Sequence, residues 1–148
     1  MSGKEKVFGS IFFIAQQWQK KGDKVMKEKV GITTKQWMLL VMLEKTFSGY
    51  IPTLSEAAEA FGTSRQNLKK IAESLQKKGF TMLLKDIEDS RIVRVALTGK
   101  HRPFFEGEKN EEWQQSFIED VFRGISDSDM EVLSSCIDTI VVNIYNKK

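Results

Sequence analysis

Cysteine is nearly absent. The 148 residues hold one, Cys136, so no internal disulfide can form and the chain suits a reducing cytoplasm. Cys136 falls beside an apolar seam near the C-terminus, where a small buried thiol is expected. Histidine is equally scarce. His101 stands alone between Lys100 and Arg102, at an expected surface or phosphate-facing position. With one histidine and one cysteine, a structural zinc site lacks ligands, and no nucleophile–base pair or catalytic residue is evident. "TGKH" (98–101) lacks the earlier glycine and the hydroxyl residue of a phosphate loop. No metal and no cofactor are expected.

Long hydrophobic runs are also missing. "VFGSIFFIA" follows Lys4 and Lys6 but is far short of the roughly 18 residues that span a bilayer. The bulky polar "QQWQKK" comes next, not a small-residue cleavage site. The run therefore reads as the buried face of a helix, and no membrane association is expected. Only Pro52 and Pro103 interrupt the helix formers, and there is no repeat, low-complexity tract or linker. A mainly α, single-domain protein is expected over residues 1–148.

What is present is organised. Residues 63–102 carry ten Lys/Arg against four acids, a net +6, whereas residues 103–148 carry four against ten, a net −6. A basic block beside an acidic one places a polyanion-binding face away from a non-binding part. The carboxylates of "EGEKNEEW" read as a solvated helix face.

Val7, Phe8, Ile11, Phe12, Ile14, Ala15 and Trp18 recur at helical spacing. That face is wide enough to need more than one neighbour, and a second copy of the chain is one candidate. "TTKQ" (33–36), "TLSE" (53–56) and "TSRQ" (63–66) each read as Thr-x-x-Glu/Gln capping boxes, with "SDSD" (126–129) a weaker relative. They segment the chain into a buried helix over about 34–46, a short one over 54–61, and another from about 64. Gly62 separates the last two as a helix-turn-helix. In the later helix Leu68, Ile71, Ala72 and Leu75 face inward. Gln66, Lys70, Glu73 and Lys77 face out, with Arg65 and Lys69 on one flank. "FTMLLK" and "IVRVAL" then alternate as strands around the polar turn "DIEDSR", giving a hairpin wing. Trp113, Phe117, Val121 and Phe122 form one further stripe. Met130, Leu133, Ile137, Ile140 and Ile144 form a coiled-coil-like seam over about 127–146.

A major groove admits one helix whose side chains read base edges. Arg65 suits a guanine edge, and Gln66 or Asn67 an adenine edge. Thr63, Ser64, Lys69 and Lys70 suit phosphates. Arg91, at the hairpin tip, suits a narrow minor groove, with Asp89 able to hold it in a bidentate pair. Arg94 adds a further cation to the wing.

The run "LSEAAEAFGTSRQNLKKIAESLQKKGF", then "DIEDSR" and "VRVALT", resembles the MarR family of winged helix-turn-helix transcriptional regulators. The resemblance is strongest over residues 32–98. It implies a winged helix-turn-helix (33–98) flanked by helical dimerisation parts (1–30 and 100–148). It also implies double-stranded DNA as partner, bound as a pseudo-palindromic operator by a homodimer, and a ligand-responsive repressor in the cytoplasm. The dimer contacts would come from Val7, Phe8, Ile11, Phe117, Val121, Leu133, Ile137, Ile140 and Ile144. A small-molecule effector lodged between dimer helices and winged helix would meet Phe12, Trp18, Trp37 and Phe104. The wing departs from the family pattern: Ile87 stands where proline is common and Ser90 where a first arginine is common, so each wing has one cation fewer. The alternative from another class is a winged-helix protein-interaction module that does not read DNA.

Overall fold

The computed structural model describes the backbone of residues 1–106 and 108–147, and their side chains except those of 106–111. Most of the acidic stretch "EGEKNEEW" thus lies outside the described residues. The chain forms two compact units, Met1–Phe105 and Glu106–Lys148. The first contains α1 (Gly3–Lys29), α2 (Thr34–Thr46), α3 (Leu54–Phe61), α4 (Arg65–Lys77) and the strands β1 (Thr81–Lys85) and β2 (Val93–Leu97). The short α5 (Arg102–Glu106) closes it, and α6 (Glu108–Val121) and α7 (Asp127–Tyr145) make the second. The fold is mainly α with one small antiparallel hairpin, paired from Thr81↔Leu97 to Lys85↔Val93.

Local chemistry sets the helix starts. Thr33/Gln36 and Thr53/Glu56 form complete capping boxes, as "TTKQ" and "TLSE" predict. "TSRQ" starts one residue later than expected: Ser64, not Thr63, is the N-cap and accepts from the Asn67 amide. The cause is the preceding helix end. Gly62 adopts φ +79°, and the amides of Gly62 and Thr63 both donate to the Ala58 carbonyl, a Schellman closure of α3. Thr63 is therefore spent on closing α3. Its hydroxyl accepts from the Asn67 side chain at 2.8 Å instead.

The core joins three helices to the hairpin. Leu39, Leu40, Leu54, Ala57, Leu68, Ala72, Leu75 and Val95 are at most 1% exposed. The second helix is less buried than its run of apolar residues predicts. Only Gln36, Leu39, Leu40 and Leu43 are covered, one face at helical spacing, and Met38 stays exposed. Gly22 permits a close approach of α1 to the start of α2, because a Cβ there would come 2.7 Å from the Thr34 hydroxyl.

Two apolar faces expected to be buried are uncovered within the single chain. Within the single chain α1 buries only Met26, and Val7, Phe8, Ile11, Phe12 and Trp18 are 43–66% exposed. Likewise α7 has no buried residue. Leu133, Ile137 and Ile144 are exposed, Met130 and Ile140 are half-buried, and the Cys136 thiol is exposed rather than buried. In α6, Phe117 and Val121 are half-buried. No helix among the described residues is long and apolar enough to cross a membrane.

Leu68→Ala opens a cavity at a fully buried site and is expected to cost about 2–5 kcal/mol in urea unfolding. Gly62→Ala meets no atom within 4 Å and strains only the left-handed backbone, about 1–2 kcal/mol. A Gly62→Ala loss equal to the leucine's would show that the turn is packed more tightly than this geometry allows.

Candidate nucleic-acid interface

The α4 helix is divided cleanly. Leu68, Ala72 and Leu75 are wholly buried, while Arg65, Gln66, Asn67, Lys69 and Lys70 are all exposed. Lys69 makes only a long 3.8 Å pair with Glu73 between half-exposed side chains, which is worth little. The Asn67 amide is committed to Thr63, whereas no side-chain bond among the described residues engages Gln66. Of the two candidates for an adenine edge, Gln66 is the freer. The Thr63 and Ser64 hydroxyls act as acceptors here, so each keeps its proton to donate.

The C-terminal half of α4 is held from several sides. Gln36 donates to the Ser74 hydroxyl at 2.8 Å. Lys78 donates to the Gly31 carbonyl at 2.9 Å and to Gln36 at 3.2 Å. The Thr81 hydroxyl donates to the Ala72 carbonyl at 2.8 Å, and the Gln76 side chain accepts from the Leu83 amide at 2.6 Å. The hairpin is thereby fixed to the helix that carries the basic face.

At the hairpin tip Arg91 clamps Asp89 through two bonds of 3.0 Å, with the arginine side chain 89% exposed. That contact holds the Asp89 carboxyl below its usual range and raises the guanidinium. Arg94, expected as a free wing cation, is instead a structural tie. Its Nε donates to Asp86 at 2.6 Å, and its Nη1 donates to the Tyr50 hydroxyl at 3.2 Å and the Ile51 carbonyl at 2.7 Å. The reason is its place inside β2, where it bridges back to Thr53 in the segment before α3. Tyr50 in turn donates to Glu56 at 2.9 Å. The bond from Arg94 is the main cause of the lowered Asp86 pKa. Glu56 is lowered mainly by the Thr53 backbone amide, with Tyr50 adding to it.

His101 is not at the surface. It is 2% exposed and its Nε2 lies 3.1 Å from Glu44. Pairing with a carboxylate places the proton on Nε2 and leaves Nδ1 buried without a partner among the described residues. Its ring meets Phe105 edge-on at 5.3 Å, and Phe105 stacks on Trp37 at 4.2 Å.

The four aromatic residues expected at an effector site stand on three helices of the first unit, Phe12 and Trp18 on α1, Trp37 on α2 and Phe104 on α5. Trp37 is stacked on Phe105, Phe104 tilts against Phe80 at 6.0 Å, and Phe12 meets Phe8 at 5.1 Å on exposed α1. A groove of about 310 Å³ lies elsewhere, between the end of α2, the loop before α3, β2 and Arg102, and none of the four lines it. Gln36, Tyr50, Gln76 and Lys78 carry much of the architecture without having been singled out for it. Gln36 was legible as a cap residue, but nothing in the spacing announces the long-range partners.

No protein-family model matches the sequence, and no curated protein matches it. Solved structures do. A MarR/EmrR-family transcriptional regulator from an Acinetobacter species superposes with TM-score 0.76 at 13% identity, over 99% of this chain and 100% of that one. A MarR transcriptional regulator from Methanosarcina mazei gives 0.78 at 17%, over 94% and 96%. S. aureus MepR, solved as a complex with DNA, gives 0.69 at 17%, over 93% and 97%. The fold is the MarR-type winged helix. In it α4 is the second helix of the helix-turn-helix and the β1–β2 hairpin is the wing.

Because Asp86 and Glu56 titrate below their ordinary values, the ties they make are intact above about pH 4 and are lost as pH falls through the depressed values. An NMR titration of the Glu88 and Asp89 amides, which both donate to Asp86, should show a midpoint below the ordinary carboxylate range. A midpoint at or above that range would mean that the Arg94–Asp86 contact does not persist in solution.

Proposed function

We propose that the chain is a sequence-specific DNA-binding transcriptional regulator that acts as a homodimer on a pseudo-palindromic operator, as a ligand-responsive repressor in the cytoplasm. The observation that carries this reading is the outward face of α4. Five polar side chains, Arg65, Gln66, Asn67, Lys69 and Lys70, stand exposed on a helix whose opposite face is locked in the core. Arg65 and Gln66 have the chemistry to read base edges, and Lys69, Lys70, Thr63 and Ser64 to hold phosphates. The DNA complex of MepR, which shares the fold, supports the same use of this face.

The second copy is supported by the uncovered apolar surface. Val7, Phe8 and Ile11 of α1, and Leu133, Ile137 and Ile144 of α7, are exposed in the single chain. Such surface calls for a partner, and Phe117, Val121 and Ile140 extend it. A two-fold dimer sets its two reading helices about 34 Å apart, one turn of duplex. The effector site is assigned to Phe12, Trp18, Trp37 and Phe104, where α1 and α5 adjoin the winged helix in sequence and fold. An effector acts only by binding the non-operator geometry more tightly.

Selection of duplexes from a random pool near physiological salt tests the reading. An inverted repeat with half-sites one turn apart is expected. Recovery of no duplex would leave the α4 face as a protein-docking surface. On the recovered site, Gln66→Ala should lose about 1–3 kcal/mol of discrimination at one base pair of each half-site. Lys70→Ala should weaken all sequences alike and flatten the salt dependence by about two units of slope per dimer. Uniform losses from both would refute base reading by Gln66. In light scattering, Ile137→Glu should shift the dimer to monomer, and an unchanged mass would remove α7 from the interface.

A further inference from the structure

We propose that Ile87, at the apex of the wing, enters the minor groove as an apolar wedge and bends the operator, an inference that rests on the DNA-binding reading above. Ile87 is fully exposed, and its backbone is held still. Asp86 accepts from the Glu88 and Asp89 amides at 3.1 Å each. The Asp86 amide donates to the Ile92 carbonyl at 2.9 Å, and the Ile92 amide to the Asp89 carbonyl at 3.0 Å. The isoleucine therefore stands on a closed turn that cannot fold it back onto the protein.

The charges around it are already used. Between Lys85 and Arg94 the hairpin has three cations, Lys85, Arg91 and Arg94, and three carboxylates, Asp86, Glu88 and Asp89, so its net charge is zero. Arg91 is clamped to Asp89 and Arg94 to Asp86. Phosphate attraction at the apex is correspondingly weak, and the group presented foremost is a branched hydrocarbon. Isoleucine is among the side chains that proteins insert between base steps from the minor groove, unstacking them and kinking the duplex. The hairpin is tied to α4 through Gln76 and Thr81, so seating α4 in a major groove carries the apex onto the flanking duplex as one body. A wedge of this kind gives preference for flexible pyrimidine–purine steps that the protein does not read by hydrogen bonds.

The test uses the full chain and the duplex recovered by selection, labelled at both ends for energy transfer, across a range of salt. Ile87→Ala should lower affinity by about tenfold, reduce the bend, and leave the salt slope unchanged. Ile87→Leu should keep both affinity and bend. Lys70→Ala, by contrast, should lower the salt slope. Wild-type affinity and bend in Ile87→Ala would overturn the wedge while leaving DNA binding by α4 intact. So would a loss that appears entirely as a changed salt slope. If the wild-type chain retains no duplex, the wedge and the DNA-binding reading fall together.

Discussion

The Arg94 guanidinium is the tie on which the winged helix depends. It reaches Asp86 at the base of the hairpin turn, the Ile51 carbonyl in the loop before α3, and the Tyr50 hydroxyl. Tyr50 passes the connection to Glu56, the same residue that closes the α3 capping box. One planar cation thus fixes three segments distant in sequence, a task that suits the rigid donor set of arginine better than a lysine. With the Asp86 side chain 15% exposed and that of Arg94 27% exposed, the contact is only partly screened by solvent. Without it, the hairpin would keep its bonds to α4 through Gln76 and Thr81 but lose its tie to the segment before α3.

The same tie explains why this wing is poor in free charge. The two arginines that a sequence reading places on DNA are each matched to a carboxylate inside the hairpin. On α4, by contrast, Arg65 and Lys70 have no ion-pair partner among the described residues and Lys69 has only a loose one. Charge and shape are therefore divided between elements. The helix carries the exposed cations, and the wing is a projection whose orientation is set by internal pairs.

Most of the architecture was legible because local rules agreed with one another. The capping boxes at Thr33 and Thr53, the αL glycine at 62 and the switch from helical to alternating periodicity near residue 80 mark the same boundaries that the structure has. Failures occur where a residue's role is decided by a partner far along the chain. Arg94 looks like a surface cation until Tyr50 and Ile51, more than forty residues earlier, are brought beside it. His101, flanked by two cations, looks solvated until Glu44, 57 residues away, covers it. Thr63 misleads for a local reason: the Schellman closure and the new N-cap compete for adjacent residues, and closing α3 takes the first of them. The face of α4 could be read in advance because it is one helix seen by itself. The ring contacts of Trp37 with Phe105 and of Phe104 with Phe80 could not be read in advance, since each joins a residue to a partner that spacing does not announce.

The two ends of α4 are held unequally. The end that carries Arg65 to Lys70 is secured by the Ser64 cap and by Leu68 beneath it. The other end is bonded to the α1–α2 connection through Lys78 and Gln36, and to the hairpin through Gln76 and Thr81. That connection is itself anchored to α1, since Asp23 accepts from the Thr34 amide at 2.7 Å. A displacement of α1 therefore reaches α4 at its far end through short polar contacts and moves helix and wing together. Packed elements joined this way shift as bodies and do not deform smoothly.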